Sequence, residues 1–360
     1  MAKIIEFHII QSLPVNCVNR DDVGSPKSAI VGGVTRARVS TQCWKRAVRQ
    51  TMHQISSSST IKFGTRTKHL ADLIAKACIA NGKDNDTAQK FATAAASNIS
   101  DNTLIFLSEN EINLIASFCD ENFTEEISDS KKAKATEKKQ NKIIESIKKK
   151  IGSNICDALD IAIFGRMIAK APFMDVEAAS YFSHAISTHK ANSEFDFFTA
   201  MDDLKDEDNQ GSSHMGTNEF NSATYYRYIA LDIDQLTKTL SLDNQSSENI
   251  KECIEVFIKA LLIAIPMAKQ HSQAAMCPWD YARILVRNGQ CMQCSFETPV
   301  KKCLESGGGY SVPSINALNS FIDENQKKYG SMYQAITDIK FGNGINLTVD
   351  EMISKIKESV

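Results

Sequence analysis

Residues 19–50 read NRDDVGSPKSAIVGGVTRARVSTQCWKRAVRQ. Asp22 is the last acidic residue before Asp72, and between the two lie Lys27, Arg36, Arg38, Lys45, Arg46, Arg49, Lys62, Arg66 and Lys68. The whole chain of 360 residues has a formal net charge of only -2, so this excess of cations is local. A one-signed patch attracts a polyanion, and nucleic acid is the commonest polyanion in a cell.

The local pattern gives the patch a shape. Ile30-Val31-Gly32-Gly33 is a short apolar run closed by two glycines, as at a strand entering a turn. Arg36, Arg38 and Ser40 alternate with Ala37 and Val39, which predicts a strand with both guanidiniums on its polar side. Ser40 or Thr41 then caps a helix beginning near Gln42, because a hydroxyl accepts from an unpaired first-turn N–H. On that helix Gln42, Lys45, Arg46 and Arg49 share one face, and Trp44, Ala47, Val48 and Met52 form the other. The bland alternative is a solvated helix face, and the missing counter-charges weigh against it.

Working outward, a chain of this length predicts two or three compact units. An apolar fraction of 42%, with 17 Phe and eight Tyr, supports a real core and argues against disorder. No apolar run approaches the ~20 residues that span a bilayer. The first residues, MAKIIEFHIIQS, read as a strand rather than a signal peptide, and a cytoplasmic location is expected. Ten scattered cysteines fit reduced thiols. Cys291-Met-Gln-Cys294, near Cys277 and Cys303, raises zinc, but a second ligand pair at matching spacing is missing, and no metal is expected.

Lys3 to Leu13 predicts a first strand, with Ile5, Phe7 and Ile9 on one face and Pro14 at its end. Helices are expected over His69–Asn81, Asp84–Ile99 and Asn110–Phe118. The run 131–150 holds nine lysines against two glutamates and reads as an exposed helix or tether, with duplex DNA as the bolder contact. Strand and turn are expected over 157–170, and a helix over 176–189. Residues 191–222 are acidic, and their flanks, 195–200 and 216–220, suit a long hairpin projecting from the body. Tyr225–Ile233 and Tyr281–Arg287 read as strands, Ser247–Ile265 as an apolar helix, and two short helices close the chain. Without residues 60–165 and 191–222, the remainder approximates a ferredoxin-like core.

Catalytic motifs are sparse. GSPKS at 24–28 lacks the frame of a phosphate-binding P-loop, and there is no G-x-G-x-x-G, G-x-S-x-G or H-E-x-x-H. Asp21-Asp22 is the one carboxylate pair that invites a metal or general-base role beside bound nucleic acid; loop hydrogen bonding is the simpler reading.

The blocks LPVNCVNRDD at 13–22, AIVGG at 29–33, RVSTQ at 38–42 and KRA at 45–47 resemble the backbone subunit of the type I-E CRISPR Cascade complex, the CasC family. The likeness continues through IFGRM at 163–167, SHAISTH at 183–189, FTAMDDL at 198–204, HMGT at 214–217, PMAKQ at 266–270 and VPSI at 312–315. It implies an α+β fold shaped like a hand. An RRM-like, ferredoxin-like palm (1–58, 161–190 and 223–360) carries a helical fingers insertion (59–160) and a β-hairpin thumb (191–222).

The resemblance further implies a non-catalytic subunit without cofactor. Copies of it line up in a helical row along one CRISPR RNA, kink it periodically and present it to target DNA for antiviral defence. Partners would be the guide, target DNA, further copies, other Cascade subunits and a nuclease-helicase recruited in trans, with no membrane. Phosphate contacts would come from Arg20, Lys27, Arg38, Ser40, Gln42, Lys45 and Arg49, with Arg36, Arg46, Arg166 and Lys269 also facing RNA. Such contacts hold a strand without reading its sequence. Met167 and Met215 would wedge against bases, Thr199 would touch the guide or target near the displaced base, and Lys301 and Lys302 would form a C-terminal basic pair. Two rivals remain: a type III-like backbone subunit that cleaves target RNA with a loop Asp, and a protein-interaction scaffold whose basic patch docks an acidic partner.

Overall fold

The structure, a computed structural model, describes residues 2–56, 60–100, 103–119, 156–200, 214–240, 247–304 and 308–360. In chain order the elements are β1 (Lys3–Asn16), β2 (Ser28–Val31), β3 (Val34–Val39), α1 (Thr41–Ile55), β4 (Thr65–Thr67), α2 (Leu70–Ala80), α3 (Asn85–Ile99), β5 (Ile105–Leu107), α4 (Glu109–Ala116) and α5 (Leu159–Phe164). They continue with β6 (Ser180–Phe182), β7 (Ala185–Ser187), β8 (Glu194–Ala200), β9 (His214–Asp232), α6 (Ile233–Thr239), α7 (Ser247–Ile263), α8 (Gln270–Gln273), β10 (Tyr281–Asn288), α9 (Ser311–Tyr329), β11 (Thr337–Gly342) and α10 (Val349–Glu358). The expected lysine run, 131–150, and the hairpin tip, 201–213, lie outside the described residues.

Contacts divide the chain into two units. The first comprises Met1–Ile55, Tyr181–Ala230 and Glu255–Val360; the second comprises Ser56–Ser180 and Leu231–Ile254.

The first unit is built on a sheet of order β11-β10-β1-β9-β7-β3-β2, with β6 and β8 pairing β9 off that path. β1 lies inside it, antiparallel to β10 from Lys3 opposite Asn288 to Ile10 opposite Tyr281. It is buried on both faces, which explains its near-continuous apolar run. Ile4 and Ile10 pack with Tyr226, Tyr228 and Leu285 beneath Ile315, Leu318 and Ile322 of α9. Toward the end of β1, Leu13 joins Tyr225, Val39 and Trp44 of α1. Between these layers Glu6 is fully buried. It pairs with Arg287 (Nε–Oε2 2.6 Å) and accepts from the Tyr228 hydroxyl and the Met292 amide, 2.6 Å each.

The second unit packs α2, α3 and α4 around Ile74, Phe91 and Ile115, beside the two-stranded ladder of β4 and β5. Two local caps define the helix starts. Asp84 accepts from the Asp86 and Thr87 amides at α3, and Ser108 and Glu111 form a reciprocal box at α4.

Mixed α/β architecture and an antiparallel hairpin at 194–220 agree with the sequence reading. Three segments differ. The run 157–170 holds the helix α5, where strand and turn were expected; short apolar runs do not distinguish the two by periodicity. The Asp160 carboxylate, buried in the first turn of α5, accepts from the Gly64 amide at 2.7 Å. The expected helix at 176–189 is instead two short strands, β6 and β7, since β7 finds partners in both β3 and β9 and a ladder replaces local hydrogen bonds. The C-terminal region holds an unexpected strand, β11, whose only buried side chain is Ile339; one buried residue in six leaves little alternation to read.

Candidate nucleic-acid interface

The interface begins with a loop that folds on itself. The Asp21 carboxylate accepts from the Val23 and Ser25 amides (3.1 and 2.9 Å), and the Asp21 amide donates to the Ser25 carbonyl (2.9 Å). This turn brings Arg20 against Pro26 and aims the loop at β3. Asn19 then ties three pieces together. Its carbonyl accepts from the Lys27 amide at 2.9 Å, and its side chain accepts from the Ser40 amide at 2.8 Å, ahead of α1. The Lys27 carbonyl in turn accepts from the Arg38 amide at 2.9 Å.

β2 and β3 form an antiparallel pair from Ser28 opposite Ala37 to Val31 opposite Val34. Gly32 and Gly33 close it with φ of +60° and +75°, the left-handed pair that a tight hairpin demands. Gly32 also lies against the 297 backbone: a Cβ there would stand 1.8 Å from the Glu297 carbonyl oxygen.

α1 follows with the two faces anticipated. Trp44, Ala47, Val48 and Met52 are buried, while Gln42 and Arg46 are exposed and Lys45 and Arg49 half-buried. The Ser40 hydroxyl accepts from the Cys43 amide at 3.3 Å, and Nδ1 of His184 accepts from the Thr41 amide at 3.3 Å. Ser40 itself is buried, so its role is the cap. The Lys45 ammonium lies 5.5 Å over the Phe182 ring, and burial lowers its pKa.

Several cations converge. Burial pushes the Cys43 thiol up to about 11, with Lys27 and Arg46 close enough to oppose the shift. Burial first, then Arg38 and Lys27, lowers the His184 pKa. Cys17, raised by burial, has both Lys269 and Arg20 nearby. Lys27 and Arg46 thus both lie near the Cys43 thiol, and Lys27 and Arg38 near the His184 ring. Among the described residues, Arg20, Lys27, Arg38, Lys45 and Arg46 form no ion pair. Lys269, at φ +52°, donates to Asn218 at 3.1 Å at the base of the hairpin, and Lys301 and Lys302 are exposed.

Besides Ser40, expected at a phosphate but buried as the cap, two of the expected contacts are corrected. Arg36 is fully buried, and its guanidinium donates to the carbonyls of Ser187 (2.7 Å), Phe296 (3.0 Å) and Glu297 (3.2 Å). It braces the hairpin instead of facing solvent. Arg166, in the second unit, is also buried and makes a two-pronged pair with Glu111 at 2.7 Å on each oxygen. It further donates to the Phe106 and Met174 carbonyls. Its neighbour Met167 projects into solvent, 85% exposed, from the turn that this network stiffens.

The hairpin of β8 and β9 sets Phe195 opposite Glu219, Phe197 opposite Thr217 and Thr199 opposite Met215. Directly opposed residues share a face. Phe195, Phe197, Thr199 and Met215 therefore lie on one side, and all four are exposed. On the other side the Phe198 ring crosses Gly216, where a Cβ would meet it at 2.5 Å. Sequence reasoning gave no role to His184, quoted only within the block 183–189, or to the Phe195/Phe197 pair. The alternation EFDFF carried the signal for the latter.

Among the described residues, no three His, Cys, Asp or Glu side chains gather as a metal cluster, and no helix is long and apolar enough to cross a membrane.

No curated protein sequence matches the chain. A solved chain described as "CRISPR RNA-guided surveillance complex, pre-nicking" is similar to it with a TM-score of 0.76 and 27% identity, over 99% of both chains. A second, described as "CRISPR RNA-guided surveillance complex", gives 0.61 and 23% over 99% of both, a likeness of fold. The family model for CT1975-like protein matches residues 5–354, and the chain belongs to that family.

Proposed function

We propose that this protein is a non-catalytic, CRISPR RNA-binding backbone subunit of a type I-E Cascade surveillance complex in the cytoplasm. The observation that carries the reading is the cluster of Arg20, Lys27, Arg38, Lys45 and Arg46, joined by one loop, one hairpin and one helix, and free of ion pairs among the described residues. Cations so placed neutralise phosphates and hold a strand regardless of its bases. A subunit that serves many different guides needs that property, since base pairing supplies the specificity.

In this reading the first unit carries an RRM-like palm and the β8–β9 hairpin is the thumb. The exposed face of Thr199 and Met215, with Met167, spaces and displaces bases as copies align along the guide. Target DNA pairs with the bases left free, and a nuclease-helicase recruited in trans cuts it. The Asp21 carboxylate is engaged in the turn that shapes its own loop, which favours a structural over a nucleolytic use.

The test is to purify the assembled complex, recover its nucleic acid and titrate binding of a single-stranded RNA against salt. RNA of uniform length is expected. Lys27→Ala with Arg46→Ala should lower the slope of log K against log[salt] by about 1.4, roughly 0.7 for each lost phosphate contact. A complex free of RNA, or an unchanged slope, would refute the reading. Metal-dependent cleavage of complementary RNA that is lost on Asp22→Ala would favour the nuclease instead.

A further inference from the structure

Five arginines of the described residues are buried: Arg36, Arg166, Arg227, Arg283 and Arg287. Four have evident compensation. Arg166 pairs with Glu111, Arg283 with Asp323 and Asp338, and Arg287 with Glu6, while Arg36 is held by three carbonyls. Arg227 is different. It lies on β9, 2% exposed, with its guanidinium carbon 3.6 Å from the centroid of the Trp44 ring. Nη1 donates to the Gln11 side chain at 2.6 Å, whereas Nε and Nη2 have no partner among the described residues. No carboxylate among them pairs with it.

Packing alone does not call for a charge here. An apolar side chain of similar volume would fill the space under Trp44 without the desolvation penalty of a buried ion. What distinguishes the place is its position behind α1. Trp44 is on the inner face of that helix, and Gln42 and Arg46 are on the outer. A charge there is screened less by salt than one at the surface. Arginine is also the cation that keeps its charge when buried; burial brings this guanidinium down to about 9, still above neutrality.

We propose that Arg227 acts on bound RNA from beneath α1, as an unneutralised charge that raises the attractive potential of the helix's outer face. The inference rests on the RNA-binding reading above. It assigns Arg227 no contact with RNA, so it is a positioning and field-setting residue. A unit charge one helix diameter below the outer face, with the 3.6 Å to the Trp44 ring and a contact distance added, stands about 15–19 Å from a phosphate and contributes a factor of roughly two to six in affinity at an effective dielectric of ~20–40.

The experiment compares wild type, Arg227→Met, Arg227→Gln and Arg227→Lys in the full chain, measuring single-stranded RNA affinity at several salt concentrations and the melting temperature. Arg227→Met is expected to bind about two- to sixfold more weakly at ~0.1 M salt, with an unchanged log K–log[salt] slope, because no phosphate contact is lost. Its melting temperature should hold or rise, and Arg227→Lys should recover most of the affinity. Arg227→Gln, which keeps a hydrogen bond available to Gln11, should behave as the Met variant. Wild-type affinity in both neutral variants would overturn the proposal. So would a weakening matched by a fall in melting temperature that Lys does not repair, or failure of both neutral variants to fold; either result makes Arg227 structural only. Wild type that binds no RNA would instead refute the reading on which the proposal rests.

Discussion

Arg166→Ala separates a structural arginine from a binding one. The wild-type guanidinium donates to both oxygens of Glu111 at 2.7 Å, to the Met174 carbonyl through Nε at 2.8 Å, and to the Phe106 carbonyl at 2.9 Å. Removing it leaves the Glu111 carboxylate 1% exposed, with the Ser108 amide as its remaining donor, and strips two backbone carbonyls of a partner. Breaking a buried pair from one side costs about 3–5 kcal/mol, because the surviving charge stays desolvated. A unit of this size is stable by roughly 5–15 kcal/mol, and each kcal/mol lowers Tm by about 2–4 °C, so a drop of ~6–20 °C is expected for the second unit. Thermal melting with limited proteolysis measures it. Replacing both partners, Arg166→Met with Glu111→Met, should recover part of the loss, since no buried charge is left stranded, while the Ser108 amide and the Phe106 and Met174 carbonyls stay without their partners. The salt slope of RNA binding by the folded Arg166→Ala protein should match wild type. A Tm within ~2 °C of wild type, or a double variant no more stable than the single, would refute the reasoning.

Gly32→Ala should destabilise the first unit by roughly 2–4 kcal/mol, combining a left-handed backbone with a Cβ in the space of the Glu297 carbonyl oxygen, and urea unfolding would register it. An unaffected midpoint would show that the β2–β3 turn relaxes freely. His8 supplies a pH test. Burial, then Arg287 and Arg283, hold its folded pKa at about 3, against the ordinary 6.5. The unfolded chain takes up that proton first as pH falls, so this contribution to stability is complete above pH 6.5 and is lost progressively toward pH 3. The slope should be about 1.4 kcal/mol per pH unit below 6.5, or about 2 kcal/mol between pH 6.5 and 5, and His8→Gln should flatten it. A wild-type slope in the variant would assign the loss to other groups. Met215→Gly should leave the length of RNA protected by the complex unchanged while disturbing periodic base exposure in chemical probing; an unaltered pattern would remove Met215 from the wedge.

Much of the site was legible because its grammar is local. The cap at Ser40, the two faces of α1, the glycine turn at 32–33 and the β8–β9 hairpin each follow from spacing, and the structure holds them where periodicity puts them. The short strands β6 and β7 were not legible, since a strand of three residues is defined by its neighbours and not by its own alternation. The same holds for β11, which exists through its pairing with β10.

Arg36 and Arg38 mark the limit most clearly. They are two residues apart on one strand, so sequence alone assigns them to a common side and a common role. The loop at 296–297 arrives from 260 residues further along, covers Arg36 and takes its hydrogen bonds, leaving Arg38 half-exposed beside Lys27 and His184. Arg166 and Arg227 were likewise decided from a distance, the first by Glu111 and the second by Trp44 and Gln11. Sequence by itself determined where cations are and which lack a neighbouring acid along the chain. Tertiary structure alone decided which face solvent, because burial and pairing depend on segments far apart in sequence.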